Sequence, residues 1–160
     1  MEAVFEAFVA KHLKRQLSSP FHLKPQVKTF SLVRHLEQNW FRLKPDFLVK
    51  ASGSNCLVLD TKWKLLDIKK KSNGTDKYGL SQVDFYQLYA YGQSYLDGHG
   101  DIVLVYPKTE AFSQALPVFE FPKSNGLRLW VLPFCLQQRV LILPPSGACG
   151  TLDTLFAEFA

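Results

Sequence analysis

The amino-terminal segment has apolar residues every three to four positions, a period that predicts an amphipathic helix over residues 2–17. The apolar stripe and the two aromatic residues beside it are Val9, Leu13, Leu17, Phe5 and Phe8. Pro20 and Pro25 follow, and we interpret the stretch that contains them as a link to the next element.

The next apolar patterns are those of β-strands. They occupy residues 27–50, where Pro45 interrupts the pattern, and residues 57–64, where LVLDTKWK follows a Ser-Gly-Ser-Asn turn. Because side chains of a strand alternate between its faces, the second run places four residues on one face. These four are Val58, Asp60, Lys62 and Lys64. Charges in the most apolar strand need a partner, because unpaired buried charge is costly.

The rest of the chain predicts two more helices with strands between them. Ser81 and Asp84 have the spacing of a capping box, which predicts a helix that runs from there to about Leu96. A buried strand over residues 101–106 follows. A strand pair and a short final helix are predicted at 118–121, 127–134 and about 152–159. This order predicts one α/β domain over residues 1–160, with a mixed central β-sheet flanked by helices.

Composition excludes several classes of protein. The three cysteines form no CxxC pair, which argues against a disulfide framework or a zinc site and fits a reducing cytoplasm. No apolar run is long enough to span a membrane, and the amino terminus lacks the pattern of a signal peptide, so we expect a cytoplasmic protein. The net charge of +5 suits a polyanionic partner and equally suits plain solubility, so charge alone assigns no function.

Two aspartates and a lysine carry the candidate chemistry. Asp46 follows Pro45 directly, Asp60 comes fourteen residues after Asp46, and Lys62 lies two positions beyond Asp60. Carboxylates and retained waters commonly hold Mg²⁺, which acidifies water and offsets charge on a phosphate. A neighbouring ammonium can orient that water. The pattern therefore predicts phosphodiester hydrolysis at a Mg²⁺ held by Asp46 and Asp60, with Mn²⁺ as an alternative metal.

The same residues resemble a known motif. Pro45-Asp46, a spacer of thirteen residues and Asp60-Thr61-Lys62 are similar to the PD-(D/E)xK nuclease motif in its DxK form. The blocks FRLKPDFLV, CLVLDTKWKLL, YGLSQVDFYQLYAYGQSYL and LVYPKTEAF resemble the nuclease region of McrC. McrC is the cleavage subunit of the modification-dependent McrBC restriction systems. The resemblance runs from about Phe5 to Phe134.

The resemblance implies a restriction-endonuclease-like core, double-stranded DNA as the substrate and an AAA+ GTPase motor as a partner. McrC-type proteins normally carry an amino-terminal region that docks this motor. Here the first predicted helix begins almost at Met1, so we expect that region to be absent. The resemblance further implies that the Thr61 carbonyl completes the metal shell.

Three helical residues gain candidate roles from the resemblance. Gln87 and Tyr91 lie one helical turn apart and are similar to the QxxxY element of RecB-like nucleases, which lines the cleft near metal and DNA. The resemblance implies a catalytic role for Gln87 and contact with nucleic acid for Tyr91. The alternative is an exposed glutamine and a core tyrosine. Glu6 matches a glutamate that aids metal binding on the first core helix of many PD-(D/E)xK nucleases. Its alternative role is that of a favourable acid near the start of a helix.

The lysines beyond the motif have two interpretations. Lys64 is expected to contact DNA or solvent, and Lys69, Lys70 and Lys71 belong to a basic loop that is either solvated or grips backbone phosphate. Two alternatives to a DNA endonuclease stay open. One is a catalytically silent nuclease-like module for DNA binding or assembly, and the other is a nuclease acting on RNA or branched DNA.

Overall fold

A computed structural model describes residues 1–69 and 77–156, and the structural statements below refer to these residues. The helices are α1 (Glu2–Gln16), α2 (Gln82–Tyr95) and α3 (Gly150–Leu155), and a single 3-10 turn, Lys77–Gly79, precedes α2. The strands are β1 (His22–Pro25), β2 (Phe30–His35), β3 (Gln38–Leu43), β4 (Phe47–Ala51), β5 (Ser54–Thr61), β6 (Gly100–Pro107), β7 (Phe119–Glu120), β8 (Leu127–Cys135) and β9 (Val140–Leu141).

Within the described residues, seven strands form one mixed sheet. Its order is β1-β4-β5-β6-β8-β7, and β9 pairs with the far end of β8. The β5–β6 and β6–β8 pairings are parallel, whereas the other pairings are antiparallel. β2 and β3 stand apart as a two-stranded antiparallel ribbon. The predicted α/β class with a mixed sheet flanked by helices is therefore confirmed.

The sheet separates two apolar layers. On one face, Leu57 and Leu59 of β5 pack with residues of α1 and α3. On the other face, Val58 of the same strand packs with residues of α2. This is the alternation that the sequence predicts for a strand with both faces covered. Gly92 lets α2 approach the sheet closely, because a Cβ at this position would overlap the Leu127 side chain.

Several element boundaries differ from the prediction. β5 ends at Thr61 rather than at residue 64, because Thr61, opposite Val105 of β6, is its last residue with a strand partner. The predicted link between Pro20 and Pro25 instead contains β1, an edge strand whose last residue is the proline. β9 had no clear sequence pattern.

The final helix is shorter than predicted and ends at Leu155, while residues 157–160 of the predicted range lie outside the described residues. Across residues 1–69 and 77–156, no helix combines the length and the apolar character needed to cross a membrane.

Candidate active site

The predicted motif residues meet at the carboxyl ends of the parallel strands β5 and β6. β4 runs antiparallel to β5 with Phe47 opposite Leu59, so Asp46, just before β4, lies next to Asp60. Lys62 follows the end of β5, where its backbone N–H donates to the Val105 carbonyl of β6. The fold thus brings together side chains that are distant in sequence, at the end of the strands where α/β proteins commonly bind ligands.

Hydrogen bonds fix both carboxylates. Oδ2 of Asp46 accepts from the Thr61 backbone N–H at 2.8 Å and from the Thr61 hydroxyl at 2.7 Å. Oδ1 of Asp60 accepts from the backbone N–H of Asp46 at 3.2 Å. Thr61 is buried, and the contacts of its N–H and hydroxyl make it the residue that orients Asp46. Its predicted role as a carbonyl ligand stays a prediction.

Asp60 is the most strongly perturbed carboxyl group of the site. Asp60 is only 3% exposed. Burial, and after it the negative charge of Asp46, raises the pKa of Asp60 to about 7, against the opposing effect of Lys62. Two carboxylates held this close in a partly dry environment create a local demand for positive charge.

Lys62 supplies part of that charge and is held between two carboxylates. Its Nζ lies 3.2 Å from Oδ2 of Asp60 and 3.8 Å from Oδ1 of Asp84 on α2. Burial acts to lower the pKa of this lysine, but the neighbouring carboxylates, Asp60 first among them, outweigh burial and raise it. The ammonium form is therefore stabilised.

Asp84 is a site residue that the sequence interpretation missed. The capping-box spacing assigns it a local role at the start of α2, but Ser81 makes no side-chain capping hydrogen bond. The acid faces Lys62 instead. Its position three residues before Gln87 and seven before Tyr91, on the same helical face, is the signal that could have identified it.

Glu6 also lies at this end of the sheet. Its carboxylate accepts a hydrogen bond from the Gln26 side chain. The backbone N–H of Gln26 donates to the Asp46 carbonyl, so Gln26 links Glu6 to Asp46. Burial and then the charge of Asp46 raise the pKa of Glu6. The proposed third acid of the site is thus adjacent to Asp46, and its role toward a metal stays a prediction.

Gln87 and Tyr91 have different environments on α2. Gln87 is exposed and its side chain forms no hydrogen bond with any described residue. Tyr91 is 3% exposed, and its hydroxyl donates to the Lys44 carbonyl at 3.2 Å. Burial, followed by the charges of Asp60 and Asp46, raises the pKa of Tyr91. Tyr91 therefore supports the loop before Asp46, and its predicted contact with nucleic acid stays a prediction.

Two of the four predicted basic residues beyond the motif, Lys64 and Lys69, lie within the described residues. Lys64 is exposed, and its ammonium donates to the Gly79 carbonyl in the 3-10 turn before α2. Lys69 is also exposed, and its backbone N–H donates to the Asp67 carboxylate. Lys70 and Lys71 lie outside the described residues. Contact of these lysines with phosphate stays a prediction.

Tyr106 is a second residue that sequence analysis did not single out. It follows Val105, the partner of Thr61, so it lies beside Lys62 in the strand register. Its side chain is fully buried, and its hydroxyl has no hydrogen-bond partner in the described part of the chain. Burial, and then the charges of Asp84 and Asp60, raises its pKa. A neutral buried hydroxyl therefore belongs to the strand residue beside Lys62.

The donor set suits a hard divalent cation. Among residues 1–69 and 77–156, no three His, Cys, Asp or Glu side chains form a ready-made metal cage. Mg²⁺ does not need such a cage, because it is usually bound by one or two carboxylates together with waters and substrate phosphate. The neighbouring carboxylates of Asp46 and Asp60, the second of them desolvated, fit that mode of binding.

A cleft lies at the opposite end of the sheet from Asp46 and Asp60. It has a volume of about 980 Å³ and is lined by residues at the starts of β5 and β6, including Asn55 and Asp101. It contains none of the predicted site residues. Asp101 is already paired with Arg128 at 3.1 Å and with the Trp130 indole N–H at 2.9 Å. The size of this cleft is thus no guide to the chemistry.

Comparisons with known proteins point in the same direction as the motif. A family model described as McrBC 5-methylcytosine restriction system component matches residues 1–107. Among solved structures, a chain in the refined half-complex from a tetradecameric assembly of Thermococcus gammatolerans McrB AAA+ hexamers with bound McrC is similar, with a TM-score of 0.60 and 21% identity. The match covers 89% of this chain and 30% of that chain, and at this identity it shows a shared fold. No match is found among curated proteins.

Proposed function

This chain belongs to the McrBC 5-methylcytosine restriction system component family, and from that premise we propose that it is a Mg²⁺-dependent DNA endonuclease domain. In this proposal it is the cleavage module of a modification-dependent restriction system that an AAA+ GTPase partner drives. The reaction is hydrolysis of phosphodiester bonds in double-stranded DNA.

One observation carries the proposal: an acidic pair and a lysine converge at one end of the sheet. Asp46 and Asp60 are joined by a backbone hydrogen bond of 3.2 Å, and the Lys62 ammonium lies 3.2 Å from Asp60. A purely structural ion pair would need one acid for one base. The second carboxylate, which raises the pKa of the first, costs stability that binding of a divalent cation would recover.

The acidic residues and Thr61 have separate roles in the proposed reaction. Asp46 and Asp60 would hold Mg²⁺, with Glu6 beside Asp46, and the bound ion would supply an acidified water and neutralise charge on the phosphate. Thr61 holds the Asp46 carboxylate in place through two hydrogen bonds.

Lys62 acts as a donor in this scheme. Its side chain is 27% exposed, so the ammonium can reach a phosphate oxygen or the attacking water. Its raised pKa keeps it protonated at neutral pH, which favours donating a hydrogen bond over accepting a proton. Asp84 restrains the ammonium from the side of α2.

The AAA+ partner is supported by the similar solved structure, which pairs McrC with McrB AAA+ hexamers. This chain spans 30% of the matched chain, so the partner and the response to methylation are attributed to the whole assembly. The residues proposed for the nuclease centre all belong to this chain.

Cleavage of a supercoiled plasmid tests the proposal. We expect nicking with Mg²⁺ or Mn²⁺, no nicking with EDTA, and loss of nicking in Asp60→Asn and Lys62→Ala. Asp97→Asn is the matched control, since Asp97 is exposed and lines the cleft at the opposite end of the sheet. If Asp60→Asn and Lys62→Ala nick as fast as the parent, the assigned centre is wrong.

A panel of substrates separates the alternatives. Duplex DNA, single-stranded DNA, branched DNA and RNA are compared under the same metal conditions. Preference for RNA or branched DNA would replace the proposed substrate. A chain that binds DNA but cleaves none of these substrates, with and without an added McrB-type motor, would be a silent module.

A further inference from the structure

The β2–β3 ribbon, residues 30–43, exposes a cluster of large apolar side chains. Six large apolar side chains of the ribbon are exposed: Phe30, Leu32, Val33, Leu36, Trp40 and Phe41. Leu36 at the tip is 83% exposed and Phe41 is 68% exposed. Neither β2 nor β3 pairs with the main sheet. Concentrated exposure of this kind marks a binding surface.

The tip of the ribbon has an unfavourable backbone conformation. Leu36 and Glu37 form the turn with φ of 48° and 64°, a region that usually requires glycine or asparagine. A large apolar residue at such a position, facing solvent, contributes nothing to the turn or to the core. Conformational cost without a packing benefit is characteristic of residues retained for contact with a partner.

The root of the ribbon is attached to α2. The Tyr95 hydroxyl of α2 donates to the Leu43 carbonyl at 2.6 Å and accepts from the Phe30 backbone N–H at 3.3 Å. The Phe30 and Tyr95 rings also pack together, with centroids 4.9 Å apart. Three residues beyond Leu43 the chain reaches Asp46. The ribbon is therefore positioned by the same helix that carries Asp84 and Tyr91.

Charge identifies the kind of partner. Residues 28–44 contain four cations and one anion, within a chain whose net charge is +5. The cations lie on both strands and at the root: Lys28, Arg34, Arg42 and Lys44. A surface for another protein core would be depleted in charge, whereas cations interleaved with aromatic and apolar side chains suit a polyanion that also offers stacked bases.

We propose that the β2–β3 ribbon is a DNA-docking element that lies in a groove of the duplex beside the scissile phosphate. The proposal rests on the proposed function, because it gives the substrate of the same site a second point of contact. A two-stranded ribbon fits the width of the major groove, where an apolar side chain such as Leu36 can contact thymine methyl groups. Arg34 contacts backbone phosphate in this arrangement.

The length of the ribbon sets the extent of the contact. Six residues per strand reach roughly 20 Å at about 3.3 Å per residue. This corresponds to about six base pairs of duplex at about 3.4 Å each. The tip therefore touches DNA up to about half a helical turn from the phosphate that is cleaved.

Anisotropy of a fluorescein-labelled duplex in EDTA tests the ribbon without cleavage. With the full chain, Arg34→Gln should weaken binding about three- to tenfold and reduce the slope of log Kd against log salt concentration by about one. Leu36→Ser should weaken binding by a similar factor and leave the salt slope unchanged, because it removes no charge. Lys14→Gln, an exposed lysine of α1, is the control and should bind as the parent does.

Several outcomes would overturn the proposal. A parent that binds no duplex contradicts it, and so do Arg34→Gln and Leu36→Ser variants with the Kd and salt slope of the parent. A change in oligomeric state in Leu36→Ser, with unaltered DNA affinity, would assign the ribbon to contacts between copies of this chain. Failure of the proposed function is distinguishable, because a parent that cleaves no plasmid can still lose DNA affinity in Arg34→Gln.

Discussion

The backbone N–H of Asp46 donates to Oδ1 of Asp60, with 3.2 Å between the two atoms. This bond joins the loop before β4 to the end of β5 through a main-chain donor, so the position of one acid depends on the other. Next to Asp60, Thr61 donates its backbone N–H and its hydroxyl to Oδ2 of Asp46. The two carboxylates are therefore placed by the protein itself and do not need a cation to bring them together.

The Thr61 hydroxyl should matter for activity more than for folding. Thr61→Val keeps the shape and the backbone donor but removes the 2.7 Å bond to Asp46. We expect plasmid cleavage to fall by about 10- to 100-fold, the usual loss when a residue that orients a metal ligand is removed. Thr61→Ser keeps the hydroxyl and should retain most of the activity. Loss of activity in Thr61→Ser, with activity kept in Thr61→Val, would show that the methyl group, and not the hydrogen bond, is what matters.

Without metal, stability should fall as pH rises through the acid range. Burial and then the charge of Asp46 raise the pKa of Asp60 from 3.8 to about 7, whereas the unfolded chain keeps an ordinary value. Between these limits the folded protein binds a proton that the unfolded chain releases. The free energy of unfolding therefore decreases from about pH 4 to about pH 7 and levels off above. Thermal midpoints measured in EDTA should show this slope in the parent and a much flatter profile in Asp60→Asn; identical profiles would contradict it.

Asp84 should act on cleavage through Lys62. Removing its charge in Asp84→Asn frees the ammonium on the α2 side and removes one of the charges that raise the pKa of Lys62. We expect kcat to fall about tenfold through lost positioning, with KM nearly unchanged, and the alkaline limb of the pH–rate profile to move to lower pH. Val83→Ala, at an exposed position of the same helix, is the control. An unshifted alkaline limb would leave Asp84 with a structural role only.

Two tyrosine hydroxyls should have opposite effects on stability. Tyr95→Phe removes a hydroxyl that makes two hydrogen bonds at the root of the ribbon, which should lower the free energy of unfolding by about 1–3 kcal/mol. Tyr106→Phe removes a buried hydroxyl with no partner in the described part of the chain, so stability should be unchanged or higher. Thermal denaturation of the two variants makes the comparison. Loss of stability in Tyr106→Phe would mean that its hydroxyl has a partner, such as an ordered water.

The strand pattern was enough to predict the two faces of β5. Alternation along β5 assigns Leu57 and Leu59 to one layer and Val58 and Asp60 to the other, and the structure has the two apolar layers in that arrangement. A tight turn at Gly53 then forces β4 back along β5, which brings Asp46 to Asp60. Local chemistry and short-range pairing determine these features, so they can be inferred from sequence.

Other features depend on tertiary contacts that no local pattern encodes. The spacing of Ser81 and Asp84 fits a helix cap, but the Asp84 carboxylate pairs with the Lys62 ammonium instead. Likewise, the alternation within residues 30–43 predicts strands but cannot tell whether they join the main sheet. Tyr106 ends an apolar run, and nothing in that run indicates that its hydroxyl is buried without a hydrogen-bond partner among the described residues.

Calorimetric titration with Mn²⁺ tests the central claim most directly, because it does not require a partner or cleavage. The parent should bind Mn²⁺ at one site at neutral pH, and Asp97→Asn should bind it with the same affinity. Asp60→Asn should lose that binding while its thermal midpoint in EDTA stays unchanged or rises, since a desolvated charge has been removed. If Asp60→Asn binds Mn²⁺ as tightly as the parent does, Asp46 and Asp60 are not a metal centre and the proposed nuclease mechanism is wrong.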